Sequence, residues 1–181
     1  GGTGYVTQTG TAQAGANTTI TLAATASATD DTYNTMSIYI SAGTGSGQIK
    51  TISDYVGSTK TATVSAWTTN PDSTSVYEVM PTITISTTEG SNATARVSSI
   101  IGGVVKKVSM INAGTGYRSG TATLVGGAGS GCTLELRIGP KNGHGKNAKT
   151  ELGGAYVMLN VRLTGTEGGD FTVGDDFRKV I

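Results

Sequence analysis

Apolar and polar side chains alternate with a period of two in run after run of this chain. Leu134, Leu136 and Ile138 point one way while Glu135 and Arg137 point the other. Val157, Leu159, Val161 and Leu163 are set in the same manner against Tyr156, Asn160 and Arg162. This spacing suits a strand with one buried face, and it cannot lay an apolar stripe along a helix. The two examples lie in runs 132–138 and 156–163; others with strand character are 18–22, 36–41, 48–53, 60–67, 75–86, 94–100, 104–111 and 120–125. Pro81, inside the 75–86 run, has no N–H to give a ladder, so it is expected at an edge or a bulge. The one helical turn that the pattern allows, at 146–152, is too short to shape the architecture. The expected fold is all-β, with two antiparallel β-sandwich-like domains and very little helix.

Composition points the same way. Thr (32 residues) and Gly (28) fill 60 of 181 positions, whereas Leu occurs seven times. β-Branched Thr favours a pleated strand, Gly favours turns, and helices need the Leu that is scarce. Charged residues are 14% and the net charge is +1, so no strong field draws the chain to nucleic acid or an anionic membrane. No stretch nears the roughly 20 apolar residues of a membrane span, and no signal peptide is visible. The charge is unevenly placed: residues 1–100 hold three Lys/Arg against six Asp/Glu, or −3, and residues 101–181 hold ten against six, or +4. The chain accordingly divides near residue 100 into a Thr/Ser-rich module, 1–100, and a Gly/Val-rich β-domain, 101–181. A short repeat spans the division. Gly-Thr-Gly-Tyr occurs at 2–5 and again at 114–117, each time ahead of Gly-Thr-Ala, at 10–12 and 120–122. It reads as one turn-into-strand device used twice, its Tyr packing over the strand that follows.

The residues that usually carry chemistry are thin. Cys132 and His144 are single, which excludes an internal disulfide and leaves a zinc site short of ligands. A lone cysteine also suits assembly in a reducing cytosol. No nucleophile elbow accompanies His144. Gly145-Lys146 imitates a phosphate loop, yet Pro140 stands where its first Gly belongs and Asn147 where Ser or Thr would hold magnesium. The run 126–131 is a turn with a strand, not a helix, behind it, so it offers a pyrophosphate no helix N-terminus. Asp30-Asp31 and Asp175-Asp176 are neighbours in turns, not carboxyls converging across a cleft. Trp67 and the seven Tyr are spread one or two to a strand, as packing residues are. The chain is therefore expected to have no catalytic residues, no cofactor and no metal.

Two stretches resemble known proteins. Gly47-Gln48, Ile52, Tyr55, Gly57, Thr59-Lys60, Ala62, Val64, Trp67, Pro71-Asp72, Ser75 and Tyr77 resemble a β-module shared by structural proteins of tailed phages, over roughly residues 10–85. In physical terms this stretch is two antiparallel strands joined at Gly57-Ser58, then a Pro-Asp turn into another strand. The second stretch comprises Gly143-His144-Gly145, Glu151-Leu152-Gly153, the run Val157 to Leu163, and Asp176-Phe177-Arg178. It is similar to a baseplate wedge subunit of T-even-type contractile phages and their cyanophage relatives, and the run 104–124 looks like the Gly-Tyr strand pair of such proteins. Lys146-Asn147 depart from the family, which often has an acid after His-Gly. The chain is also shorter than its members and starts at Gly1, which suggests processing or a fragment.

The resemblance implies a β-rich, non-enzymatic structural protein, dimeric within each wedge and bound to other tail and baseplate proteins. It further implies a place in the virion after assembly in the host cytoplasm. The alternative reading is a tail-fibre or spike module that binds host surface glycans. The loop at 139–153 is the expected interface. Lys141, Lys146 and Lys149 make it basic against the single acid Glu151, and its glycines, set around Pro140 and His144, suit tight turns that dock on a neighbour.

Overall fold

A computed structural model describes residues 1–139. They form eleven strands and, among the described residues, no helix. The strands are β1 (Gln8–Thr11), β2 (Ala14–Ala16), β3 (Thr19–Thr21), β4 (Ser37–Ala42), β5 (Ile49–Val56), β6 (Thr61–Val64), β7 (Val76–Met80), β8 (Thr82–Ser86), β9 (Thr94–Ile101), β10 (Val104–Asn112) and β11 (Thr121–Val125). Every pairing is antiparallel, in a seven-stranded sheet ordered β1-β7-β4-β5-β6-β3-β2 and a four-stranded sheet ordered β10-β9-β8-β11. The all-β class read from the period-two runs is the class of the fold. The compositional change near residue 100 falls in β9, whereas the backbone passes from one sheet to the other at Pro81. Pro81 is buried between β7 and β8, at a point where the ladder stops and no N–H is required.

The seven-stranded sheet closes on itself. Its two edge strands, β1 and β2, are consecutive pieces of chain with Ala12-Gln13 between them. Ala12 N–H donates to Ser75 O at 2.8 Å, continuing the pairing with β7, and Gln13 N–H donates to Thr21 O at 2.8 Å, starting the pairing with β3. One short segment thus seals both edges, which removes the exposed ladder an open sheet would carry. The opposite corner is β5. Its first half pairs with β4 (Tyr39↔Ile49) and its second half with β6 (Val56↔Thr61), with a register shift between Ile52 and Asp54 where it bends. Alternate residues of these strands meet inside, where Ile20, Leu22, Ile38, Ile40, Ile52, Tyr55, Tyr77 and Val79 are buried. Trp67 belongs to the same core, a packing residue and not a stacking platform. Tyr77 spans that interior, and its hydroxyl accepts a hydrogen bond from Ala23 N at 2.9 Å.

The four-stranded sheet is a duplication. Residues 81–97 and 120–136 align without a gap at a spacing of 39. Thr82/Thr121, Thr84/Thr123, Gly90/Gly129, Ser91/Ser130 and Thr94/Thr133 are identical pairs. The register agrees: Thr84 sits opposite Thr123, its own counterpart, so a local twofold axis passes between them. On one flank Thr82 pairs with Arg96 of β9. On the other the chain turns back after Gly131 and Leu134 bridges Ala122 in the same register. Among the described residues, the run 132–138, expected as a full strand, pairs only at that bridge. Tyr5, Met80, Val97 and Val105 form the core under this sheet, with Ile83, Ile100, Leu124 and Cys132 packed against it.

Candidate functional site

The Gly-Thr-Gly-Tyr segments are where this duplication is fastened. Each turns on two left-handed glycines, Gly2 (φ 64°) and Gly4 (77°) in one, Gly114 (68°) and Gly116 (77°) in the other, a conformation that costs Gly little. Between them the Thr is extended and pairs with a Ser from the opposite repeat. Thr3 N–H donates to Ser130 O at 2.9 Å and Ser130 N–H donates to Thr3 O at 3.0 Å. Thr115 and Ser91 exchange the matching pair, both at 3.0 Å. The Tyr ring then folds over the Gly that precedes that Ser. A Cβ on Gly90 would lie 2.7 Å from Tyr117 Cγ, and one on Gly129 would run into the Tyr5 ring. A Cβ on Gly2 would meet Ser130 O, Cys132 N and Tyr5 Cε2, and one on Gly114 would meet the counterparts Ser91 O, Ala93 N and Tyr117 Cε2. The same clasp is built twice, and the two are crossed: each repeat's Gly-Tyr segment grips the other repeat's Gly-Ser. The repeat is a device used twice, as its sequence indicates. Its Tyr packs on the facing Gly, where only a residue without Cβ leaves room for the ring.

The barrel is set into this arrangement between Tyr5 and Pro81. The two points where the chain enters and leaves it meet at Gly127, whose carbonyl accepts from Val6 N–H at 2.9 Å and whose Cβ would lie 2.8 Å from Pro81 Cγ. A second seam lies alongside. Arg96 of β9 pairs with Glu78 of β7, and its guanidinium lies 4.1 Å from the centroid of the Tyr39 ring. Ser37 Oγ and Thr82 Oγ1 are 2.8 Å apart, and Thr82 Oγ1 donates to Thr35 O at 2.6 Å, so Ser37 is the donor to Thr82. A cavity of about 380 Å³ lies at this seam, with Ser37, Lys50, Thr51, Ser65, Thr82 and Thr94 among its lining residues. Among the described residues that line it, the one charge is the Lys50 ammonium and there is no carboxylate, so they can offer hydrogen bonds but no acid–base pair.

Among the described residues no three His, Cys, Asp or Glu side chains converge as metal ligands. Asp30 and Asp31 hold turns: Asp30 Oδ1 accepts from Gly57 N–H and Asp31 Oδ1 from the Asn34 amide, both at 2.7 Å. Asp72 caps the turn after Pro71, accepting from Thr74 N–H at 2.8 Å and Thr74 Oγ1 at 2.6 Å. Those bonds hold its carboxyl below the usual range. The expected interface residues Lys141, His144, Lys146, Lys149 and Glu151 lie outside the described residues. The clasps and the seam are what sequence reasoning did not assemble. The signal of the clasps was present in the 39-residue spacing, which the Gly-Thr-Gly-Tyr pair alone does not reveal because the barrel interrupts the first repeat; the seam left no such signal. No family model matches this chain, and no curated protein or solved structure matches it either.

Proposed function

We propose that this chain is a non-enzymatic structural protein of a contractile-tailed phage, a baseplate wedge component that works through interfaces with other tail proteins and with copies of itself. It would be assembled in the host cytoplasm and retained in the virion. The observation that carries the reading is the β9–β10 hairpin. Ile101 is 65% exposed and Met110 54%, with Val108 and Ile111 also exposed beside Lys106 and Lys107. Ile101 ends β9 at the hairpin turn and the others lie on the edge strand β10, and apolar side chains exposed there favour cover by a neighbouring chain. The closed barrel and crossed clasps add support, since a component that transmits force through contacts benefits from elements whose edges are already sealed. The resemblance of the residues 139–163 and 170–180 to those of wedge subunits is what favours the baseplate over other parts of the tail.

A second reading, a fibre module that holds host glycans, draws on the hydroxyl-lined cavity with its single ammonium. The described residues that line that cavity include no aromatic ring to stack on a sugar, and the exposed hairpin favours the structural reading. Mass spectrometry of gradient-purified particles should find this chain in fixed ratio to the tail proteins, with antibody label at the baseplate in electron micrographs. The double variant I101D/M110D should fold, as judged by circular dichroism, and be lost from the particles. Absence of the native chain from particles would overturn the proposal; retention on a glycan array with label on the fibres would replace it with the second reading.

A further inference from the structure

The geometry of the clasps points to an interaction of this chain with itself. We propose that the cleft formed by residues 103–105 and 127–132 recognises a Gly-Thr-Gly-Tyr segment whichever copy supplies it, and that two copies exchange their Gly1–Val6 arms. The inference is independent of any place in a virion.

Recognition is local to the segment: the same four residues are held by the same contacts in both halves of the duplication, once ahead of β1 and once between β10 and β11. In both cases the ligand is Gly-Thr-Gly-Tyr and the receptor is Gly-Ser, with matching contacts at each Gly and each ring. The arm's backbone bonds go to the duplicated unit and none to the barrel that follows it. They are the two with Ser130, Tyr5 N–H to Gly103 O at 3.0 Å, Val105 N–H to Gly1 O at 3.0 Å, and Val6 N–H to Gly127 O at 2.9 Å. This is strand addition to a preformed edge, with the buried Tyr5 ring as the anchor. The cleft selects by absence of side chain: Gly129 leaves space for the ring, and Gly103 allows close approach of Gly4. Only Thr7, exposed like Val6 before it, joins the arm to β1. Lifting the arm therefore disturbs nothing inside the barrel. An exchanged pair keeps every one of these contacts, so concentration sets the balance between closed and exchanged forms.

Two variants of the full chain separate the roles. T3P/Y5A removes the Thr3 N–H and the ring, leaving a cleft with no arm. G129V sets a branched side chain where the ring lies, leaving an arm with no cleft; the position carries no left-handed strain of its own. Each alone should be a monomer in light scattering. Mixed at about 100 µM, they should give a species of roughly twice the 18.2 kDa monomer mass. A fluorescent GGTGYV peptide should gain anisotropy with T3P/Y5A and not with G129V. Failure of both readings overturns the proposal, and peptide binding with no mixed dimer overturns the exchange. If G129V does not fold, the wild-type chain serves as donor and the same readings decide. If T3P/Y5A does not fold, the peptide must restore its near-ultraviolet dichroism, and failure to do so overturns recognition by the cleft.

Discussion

Tyr55 and Tyr77 place two phenols inside the barrel, and each is tied by its hydroxyl to the loop that follows β3. Tyr55 Oη donates to Ser27 O at 2.6 Å, and its ring meets Tyr33 edge-on with centroids 4.7 Å apart. Burial, helped by Tyr33, Tyr77 and Asp30, pushes the Tyr55 phenol up to about 12, and burial raises Tyr77 as well. The sign of the consequence is fixed. The unfolded chain gives up these protons near pH 10 while the folded chain keeps them, so this contribution to stability is full below pH 10 and is lost as pH climbs through about 12. Urea midpoints should therefore fall steeply between those values. Y55F loses one hydrogen bond, costing about 1 kcal/mol near neutrality, but it cannot ionise, so its midpoint should fall less over the same range. A Y55F curve parallel to that of the wild type would show that this phenol is not the group responsible. That Tyr55 is a core residue could be read from its strand pattern. That its hydroxyl closes onto Ser27 could not, because the partner lies on a loop whose path no local pattern fixes.

At the scale of elements, legibility followed side-chain pattern. Strands β3 to β11 each lie on a run that read as strand, since β-branched and aromatic residues alternate there and one face is buried. The pair β1 and β2 was missed. Gln8-Thr9-Gly10-Thr11 and Ala14-Gly15-Ala16 bury little and have almost no apolar period; they are strands because β7 and β3 offer them ladders. The clasps were half legible, because left-handed glycines could be expected at Gly2, Gly4, Gly114 and Gly116 but their partners could not. Gly90 tests what the clasp is worth. It combines φ 94° with a Cβ position 2.7 Å from Tyr117 Cγ, whereas Gly47 has φ 88° and nothing within 4 Å. Gly47→Ala should cost only the backbone strain, about 1 kcal/mol. Gly90→Ala should cost about 2–4 kcal/mol, the excess being displacement of the ring. Chemical denaturation of the two variants measures the difference. Equal costs would mean that the ring yields freely and that the clasp contributes little.

At the largest scale, the described residues form a barrel set into a duplicated sheet, and their unity depends on how the two are joined. The chain crosses between them at Val6 and at Pro81, side by side at Gly127, which by itself would leave a hinge. Arg96 fixes the angle. Its guanidinium holds Glu78 of the barrel and stacks on Tyr39, the residue opposite Glu78 in the ladder, so β9 grips two neighbouring strands at once. Neither partner is predictable from the sequence around Arg96, which reads as an ordinary polar position on a half-buried strand. Its side chain is only 18% exposed, so the pair is shielded from the screening that makes surface ion pairs weak. Breaking it leaves Glu78 without its counter-charge and removes the stacked cation, at a cost of about 2–3 kcal/mol. That cost falls on the seam and leaves each core intact. Calorimetry of the wild type should therefore show the barrel and the sheet melting in one transition, and R96A should split it, the barrel melting near its original temperature and the sheet earlier. Glu78→Gln keeps a hydrogen-bonding group for Arg96 and should separate the two less. A single, merely shifted transition for R96A would mean that the Gly127 crossing and the Ser37–Thr82–Thr35 hydrogen bonds couple the two cores without it.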